Sequence, residues 1–198
     1  MRGDIVLEGV SKTYEGKPVL KDLDMRFADG KISVVMGPSG LGKTTLLKIL
    51  LGLESCEGSV TGMEGRRPAV VFQESRLLPW LSLKQNLELV CGPGKDREIA
   101  DALALMELTD AADKKPAELS GGMQRRGALA RAIAYGGDIL VLDEPFTGLD
   151  EDLKERIAGK LSRQWRESGK TVLFVTHDSV EAREYADTIV KLNEGGCL

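Results

Sequence analysis

Ile32-Ser-Val-Val-Met36-Gly37-Pro38-Ser39-Gly40-Leu41-Gly42-Lys43-Thr44-Thr45-Leu46-Leu47-Lys48-Ile49-Leu50-Leu51-Gly52 opens as a strand, turns through a glycine-rich loop and closes as a helix. The run from Ile32 to Met36 is short, apolar and β-branched. Leu46, Leu47, Ile49, Leu50 and Leu51 recur at helical spacing, and Gly52 ends the helix. Such a loop lets successive backbone N–H groups point inward, and the helix after it adds unpaired donors and a partial positive charge. Phosphate fits a cradle of this kind, built here from Gly37, Pro38, Ser39, Gly40, Leu41 and Gly42. Lys43 is expected to reach the β- and γ-phosphates of ATP, the Thr44 hydroxyl to ligate Mg²⁺, and Thr45 to touch the α-phosphate. The loop alone names no reaction, since kinases, GTPases and transport ATPases share it.

A second apolar run, Ile139-Leu-Val-Leu142, is too short for a helix and suits a buried parallel strand. It delivers Asp143 and Glu144 at a carboxyl end, where open α/β sheets place their ligand crevice. Asp143 is expected to hold Mg²⁺, directly or through water, and Glu144 to polarise the water that attacks the γ-phosphate.

Around these two runs the chain alternates strand and helix, which indicates an α/β fold. Ile5-Val-Leu7, Val19-Leu20 and Met25-Arg-Phe27 read as an N-terminal antiparallel β subdomain. Leu83 to Leu89 and Arg97 to Leu108, broken by Gly92-Pro93-Gly94, read as an inserted helical subdomain at about 74–120. Helices are expected again at about Leu153 to Trp165 and Val180 to Tyr185, and strands at Thr171 to Val175 and Thr188 to Val190. The expected architecture is therefore one unit over 1–198: a P-loop NTPase core of mixed, mainly parallel sheet flanked by helices. Gly127 is a weak point in the helix that follows Ser120.

A formal net charge of -4 disfavours bulk electrostatic binding of DNA or RNA. Cys56, Cys91 and Cys197 stand in no metal-ligand spacing, which favours reduced thiols, and the start lacks the apolar core of a signal peptide. No apolar run approaches the ~20 residues needed to cross a bilayer. Membrane work would need a partner.

Leu119-Ser-Gly-Gly-Met-Gln124 lies between the loop and the acidic pair, and there the sequence resembles the ATP-binding subunits of ABC transporters over nearly its whole length. The resemblance implies that two subunits face head to tail. Ser120, Gly121, Gly122 and Gln124 of one would close on ATP held by the other, so that ATP joins the dimer. It further implies an adenine-stacking role for Tyr14 and a contact of Gln73 with Mg²⁺ and the attacking water. Leu149 and Asp150 would align the subunits, and His177, the sole histidine, would sense the γ-phosphate. Gln124-Arg125-Arg126-Gly127 departs from the commonest residues after the signature. The chain ends at Leu198, so an appended regulatory domain of the kind some importers carry is not expected.

The stretch Gln73 to Asn86 is most similar to bacterial importers of nitrate, sulfonates, taurine or thiamine precursors. Either Leu78, Pro79 and Trp80 stand near the wall of a groove for a permease helix, or Leu77, Leu81 and Trp80 pack the insert onto the core. The implied partners are a second, identical ATPase subunit, a membrane permease at the cytoplasmic face and, indirectly, a solute-binding protein; no nucleic acid is implied. A soluble ABC-type ATPase, an exporter subunit and a small-molecule P-loop kinase are the competing readings. Co-purification with a polytopic membrane protein separates the importer reading from the soluble ATPase and the kinase.

Overall fold

The computed structural model describes residues 3–193 and 196–197. In chain order the elements are β1 (Ile5–Tyr14), β2 (Lys17–Phe27), β3 (Ile32–Met36), α1 (Lys43–Leu50), β4 (Glu57–Thr61), β5 (Pro68–Val71), α2 (Leu83–Cys91), α3 (Asp96–Leu105), α4 (Gly121–Tyr135), β6 (Ile139–Asp143), α5 (Glu151–Glu167), β7 (Thr171–Thr176), α6 (Ser179–Tyr185), β8 (Thr188–Asn193) and β9 (Gly196–Cys197). The fold is the expected α/β type. One sheet has the order β2-β1-β4 and is antiparallel; the other has the order β5-β6-β7-β3-β8-β9, parallel except for β9.

β1 and β2 are longer than the sequence suggested and form one hairpin closed by Glu15 and Gly16 at φ 49° and 78°. A turn of that twist matches the twist of the strands it joins. β4 was not anticipated, because Glu57-Gly-Ser-Val-Thr61 is mostly polar and exposed and pairs on one side with β1.

The central strands explain their own composition. Val34, Leu140, Leu142, Val172 and Phe174 enter one core cluster, and Val35, Ile139, Val141, Leu173 and Val175 enter the other. A parallel sheet covered on both faces needs apolar side chains on both, so these runs do not alternate. Met36 pairs with Thr176, and Asp143 with Val175, so β3, β7 and β6 end side by side. The residues that follow each strand therefore converge.

α2 and α3 pack on α4. Ser82 opens α2 with a capping box, its hydroxyl accepting from Gln85 N while the Gln85 side chain accepts from Ser82 N. A Cβ on Gly127 would come within 2.7 Å of Leu83 Cδ1 and 3.4 Å of Leu77 Cδ1. Gly127 thus clears room on α4 for two buried leucines, a use that its helix propensity does not reveal. Cys56 and Cys91 are free thiols, while the side chain of Cys197, and Leu198, lie outside the described residues. No helix among the described residues is long and apolar enough to cross a membrane.

Candidate nucleotide site

A cavity of about 290 Å³ opens where β3 and β6 end. Ser39, Gly40, Gly42, Lys43, Thr44 and Thr45 line one side, and Gln73, Asp143 and Glu144 the other. Gly42 sits at φ 84° directly before α1, where a Cβ would lie 2.8 Å from Leu20 Cδ2 and from Val19 Cγ1. No side chain caps α1, so its first N–H groups stay available to an anion. Lys43 is buried, and its ammonium donates to the carbonyls of Gly37 at 2.7 Å and Pro38 at 2.9 Å. Those bonds keep the charge inside the loop. Leu41 packs against the β1/β2 core, and Pro38 lines a second cavity with His177.

Thr44 Oγ1 donates to Asp143 Oδ2 at 2.7 Å. Burial pushes the Asp143 carboxyl above its ordinary range; the Thr44 hydrogen bond opposes this, and the neighbouring Glu144 charge adds to it. The Thr44 hydroxyl, the Asp143 carboxylate and the Gln73 amide, all lining the cavity, are hard oxygen donors, the set that suits Mg²⁺ held partly by phosphate. No group of three or more His, Cys, Asp or Glu able to hold a metal occurs among the described residues.

Glu144 is held in an unusual backbone state, φ 48°, although it precedes Pro145. That conformation costs roughly 1–2 kcal/mol and persists only where surrounding bonds impose it. Its N–H donates to Val175 O at 3.0 Å. Its carboxylate takes Thr147 Oγ1 at 3.2 Å on one oxygen and His177 Nδ1 at 3.1 Å on the other.

The residues around Ser120 form the start of α4. Ser120 Oγ accepts from Met123 N at 3.2 Å, while the Gly121 and Gly122 N–H groups are the first of the helix and lack intrahelical acceptors. Gly122 lies against the loop before α5: its Cβ would meet Gly148 O at 3.4 Å and Leu149 Cδ2 at 3.6 Å. Gln124 turns inward, donating to Pro116 O and Leu119 O. Asp150 caps α5 by accepting from Leu153 N at 2.9 Å, and Leu149 packs on the core.

A model of the ABC transporter family matches residues 20–147, spanning the glycine loop, the start of α4 and the acidic pair. The chain belongs to the ABC transporter family.

It is 39% identical over 196 residues to the aliphatic sulfonates import ATP-binding protein SsuB of Cupriavidus necator, covering 94% of this chain and 65% of that one. It is 38% identical to SsuB 1 of Rhizobium johnstonii, covering 96% and 74%. The spermidine/putrescine import ATP-binding protein PotA of Nitratidesulfovibrio vulgaris is 35% identical, with 96% and 56% covered. This chain therefore spans between about half and three quarters of the length of these ABC relatives. Among solved structures, the dimeric bacterial ABC transporter cassette MJ0796 matches with a TM-score of 0.89 at 33% identity, covering 97% of this chain and 95% of that one. A dimeric post-hydrolysis state of the same cassette, bound to ADP and Pi, gives 0.88 at 32%.

Within this ABC fold, Tyr14 does not line the main cavity. It ends β1 opposite Lys17, part-exposed, with Lys12 Nζ 5.1 Å from its ring centre. The segment after Gln73 divides: Leu77 is buried against α4, while Trp80 is 67% exposed. Trp80 therefore does not pack the helices onto the core.

Two side chains at the site were not anticipated as functional. Arg125 of α4 reaches the main chain of both Gln73 and Glu144; in the sequence it showed only as a departure from the usual signature. Lys154 of α5 is 12% exposed and bonds Asp178 and Glu151, each at 3.0 Å, with Glu181 at 3.7 Å. Thr176 Oγ1 donates to Glu181 Oε2 at 2.7 Å and accepts from Asp178 N at 3.0 Å, so the residues on both sides of His177 are fastened.

Proposed function

We propose that this chain is the ATP-hydrolysing, energy-coupling subunit of a membrane ABC transporter, an importer of a small anionic or heterocyclic solute. The observation that carries the reading is the meeting of Lys43, Thr44, Gln73, Asp143 and Glu144 around one cavity, with His177 against Glu144. Import is supported by the relatives, which are named as import proteins for sulfonates and for spermidine/putrescine.

The loop N–H groups and Lys43 bind the phosphates, and the exposed ring of Tyr14 offers a face for adenine. Thr44, Asp143 and Gln73 would hold Mg²⁺, which supplies charge neutralisation at the phosphates. Glu144 takes the proton of the attacking water, and His177 keeps that carboxylate aimed. Ser120, Gly121 and Gly122 present a hydroxyl and free N–H groups to ATP on a second copy, with Leu149 and Asp150 at the joint. Residues 74–120 form the helical insert that meets a permease at the cytoplasmic face of the membrane. Solute arrives through that permease from a binding protein.

Mg-ATP turnover by the purified chain, compared with a Lys43→Ala variant, tests the core of the proposal. Wild type is expected to hydrolyse ATP and the variant to lose measurable turnover. Equal activity in the two would sink it.

A further inference from the structure

α4 sends two guanidinium groups under the segment that leaves β5. Arg125 Nη1 donates to the Glu144 carbonyl at 3.0 Å, and its Nη2 donates to the Gln73 carbonyl at 2.6 Å. Arg131, farther along the helix, donates to the carbonyls of Arg76 at 2.8 Å and Ser75 at 3.1 Å. Arg126 points elsewhere, to the Met106 and Glu107 carbonyls at the end of α3. Of the three, Arg125 alone spans two residues that line the nucleotide cavity.

The two carbonyls belong to loops that leave different strands, β5 and β6, whose shared ladder ends at Val71 with Leu142; beyond that pair Asp143 and Glu144 are tied to β7 through Val175, and Arg125 ties the β5 side to them. A planar guanidinium is a rigid fork, so one side chain that grips both carbonyls sets the distance between them. Glu144 also sits in a left-handed conformation that its own side chain does not favour, and Arg125 holds the carbonyl side of that residue while Val175 O holds the N–H side. The same helix begins with Ser120, Gly121 and Gly122, so displacement of α4 along or about its axis moves the fork.

We propose that Arg125 is a positioning residue that fixes Gln73 and Glu144 in reactive register and carries the position of the Ser120 end of α4 to both. The inference rests on the ATPase reading above. It concerns turnover, since the Arg125 guanidinium bonds the Glu144 and Gln73 carbonyls rather than the glycine loop or Lys43.

The test compares wild type, Arg125→Ala and Arg125→Lys for kcat, KM for Mg-ATP and melting temperature, with guanidinium chloride added at millimolar concentration. Arg125→Ala is expected to lose about 10–100-fold in kcat, the scale of an ångström-level misplacement, with KM changed less than about threefold. Arg125→Lys, which can grip one carbonyl at a time, should fall between the two. Added guanidinium should raise kcat of the alanine variant and leave wild type unchanged. The inference is overturned if folded Arg125→Ala turns over at the wild-type rate. It is equally overturned if kcat falls only in step with melting temperature and neither lysine nor guanidinium recovers it, or if Arg125→Lys is fully active where the alanine variant fails to fold. A wild-type chain that binds Mg-ATP yet shows no turnover instead removes the ATPase reading itself.

Discussion

His177 Nδ1 stands 3.1 Å from Glu144 Oε1, two side chains delivered by the ends of neighbouring strands β7 and β6. A carboxylate in its ionised form only accepts, so the contact is a hydrogen bond in the tautomer that carries the imidazole proton on Nδ1. Thr147 holds the other carboxylate oxygen at 3.2 Å, and together they leave Glu144 little freedom to rotate. Replacing His177 with alanine removes one of the two restraints and none of the phosphate-binding groups. The expected outcome is a loss of about 100-fold or more in kcat with ATP affinity nearly unchanged, read by steady-state turnover and equilibrium nucleotide binding. Full activity would remove His177 from the mechanism.

Glu144→Gln preserves the shape of that side chain and its place beside Thr147 but cannot take a proton. ATP should then bind without being consumed, and two copies should stay closed over it. Light scattering is expected to report a monomer without nucleotide and a dimer at saturating Mg-ATP. Adding Ser120→Arg to the same variant places a bulky cation at the N-terminus of α4 and should abolish the dimer. A single-copy mass for Glu144→Gln at saturating ATP contradicts the shared-site arrangement.

The parts of this site that could be read in sequence are those where a residue type has one physical use. Gly42 tolerates a left-handed turn against Leu20, Lys43 follows a glycine loop, and Asp143 ends an apolar strand that must be buried on both faces. Arg125 was illegible because its partners are carbonyls, which every residue carries, brought near by the pairing of β5 with β6. Gly127 looked like a flaw in a helix because its reason lies in Leu83 and Leu77, far back along the chain. β4 hid for the opposite cause: an exposed polar strand with one paired side needs no hydrophobic pattern.

Lys154 provides a pH-dependent test of how the loop carrying His177 is fastened. Burial alone would lower the Lys154 pKa, but hydrogen bonds to Asp178 and Glu151 and the charges of Asp178 and Glu181 raise it above the ordinary lysine value. Its ammonium therefore contributes its full stabilisation throughout the neutral range. Glu181, 5% exposed, is pushed up by burial, with the Thr176 hydrogen bond and the Lys154 charge acting the other way. In Lys154→Met that opposing charge is gone, and ionised Glu181 is left buried beside Asp178. A group whose folded pKa is raised stabilises the native state most when protonated, and the benefit is lost as pH rises through the folded value. The variant should thus lie below wild type already in mildly acidic buffer, where Asp178 is ionised and loses its Lys154 bond, and fall further behind as pH rises toward 8 and Glu181 ionises, to a deficit of about 3–5 kcal/mol, the scale of a broken buried pair. Urea unfolding from pH 5 to 8 checks the sign: a deficit that shrinks with rising pH would show that Lys154 does not hold Glu181. Introducing Glu181→Gln into Lys154→Met should flatten the dependence, since the group that titrates is then absent.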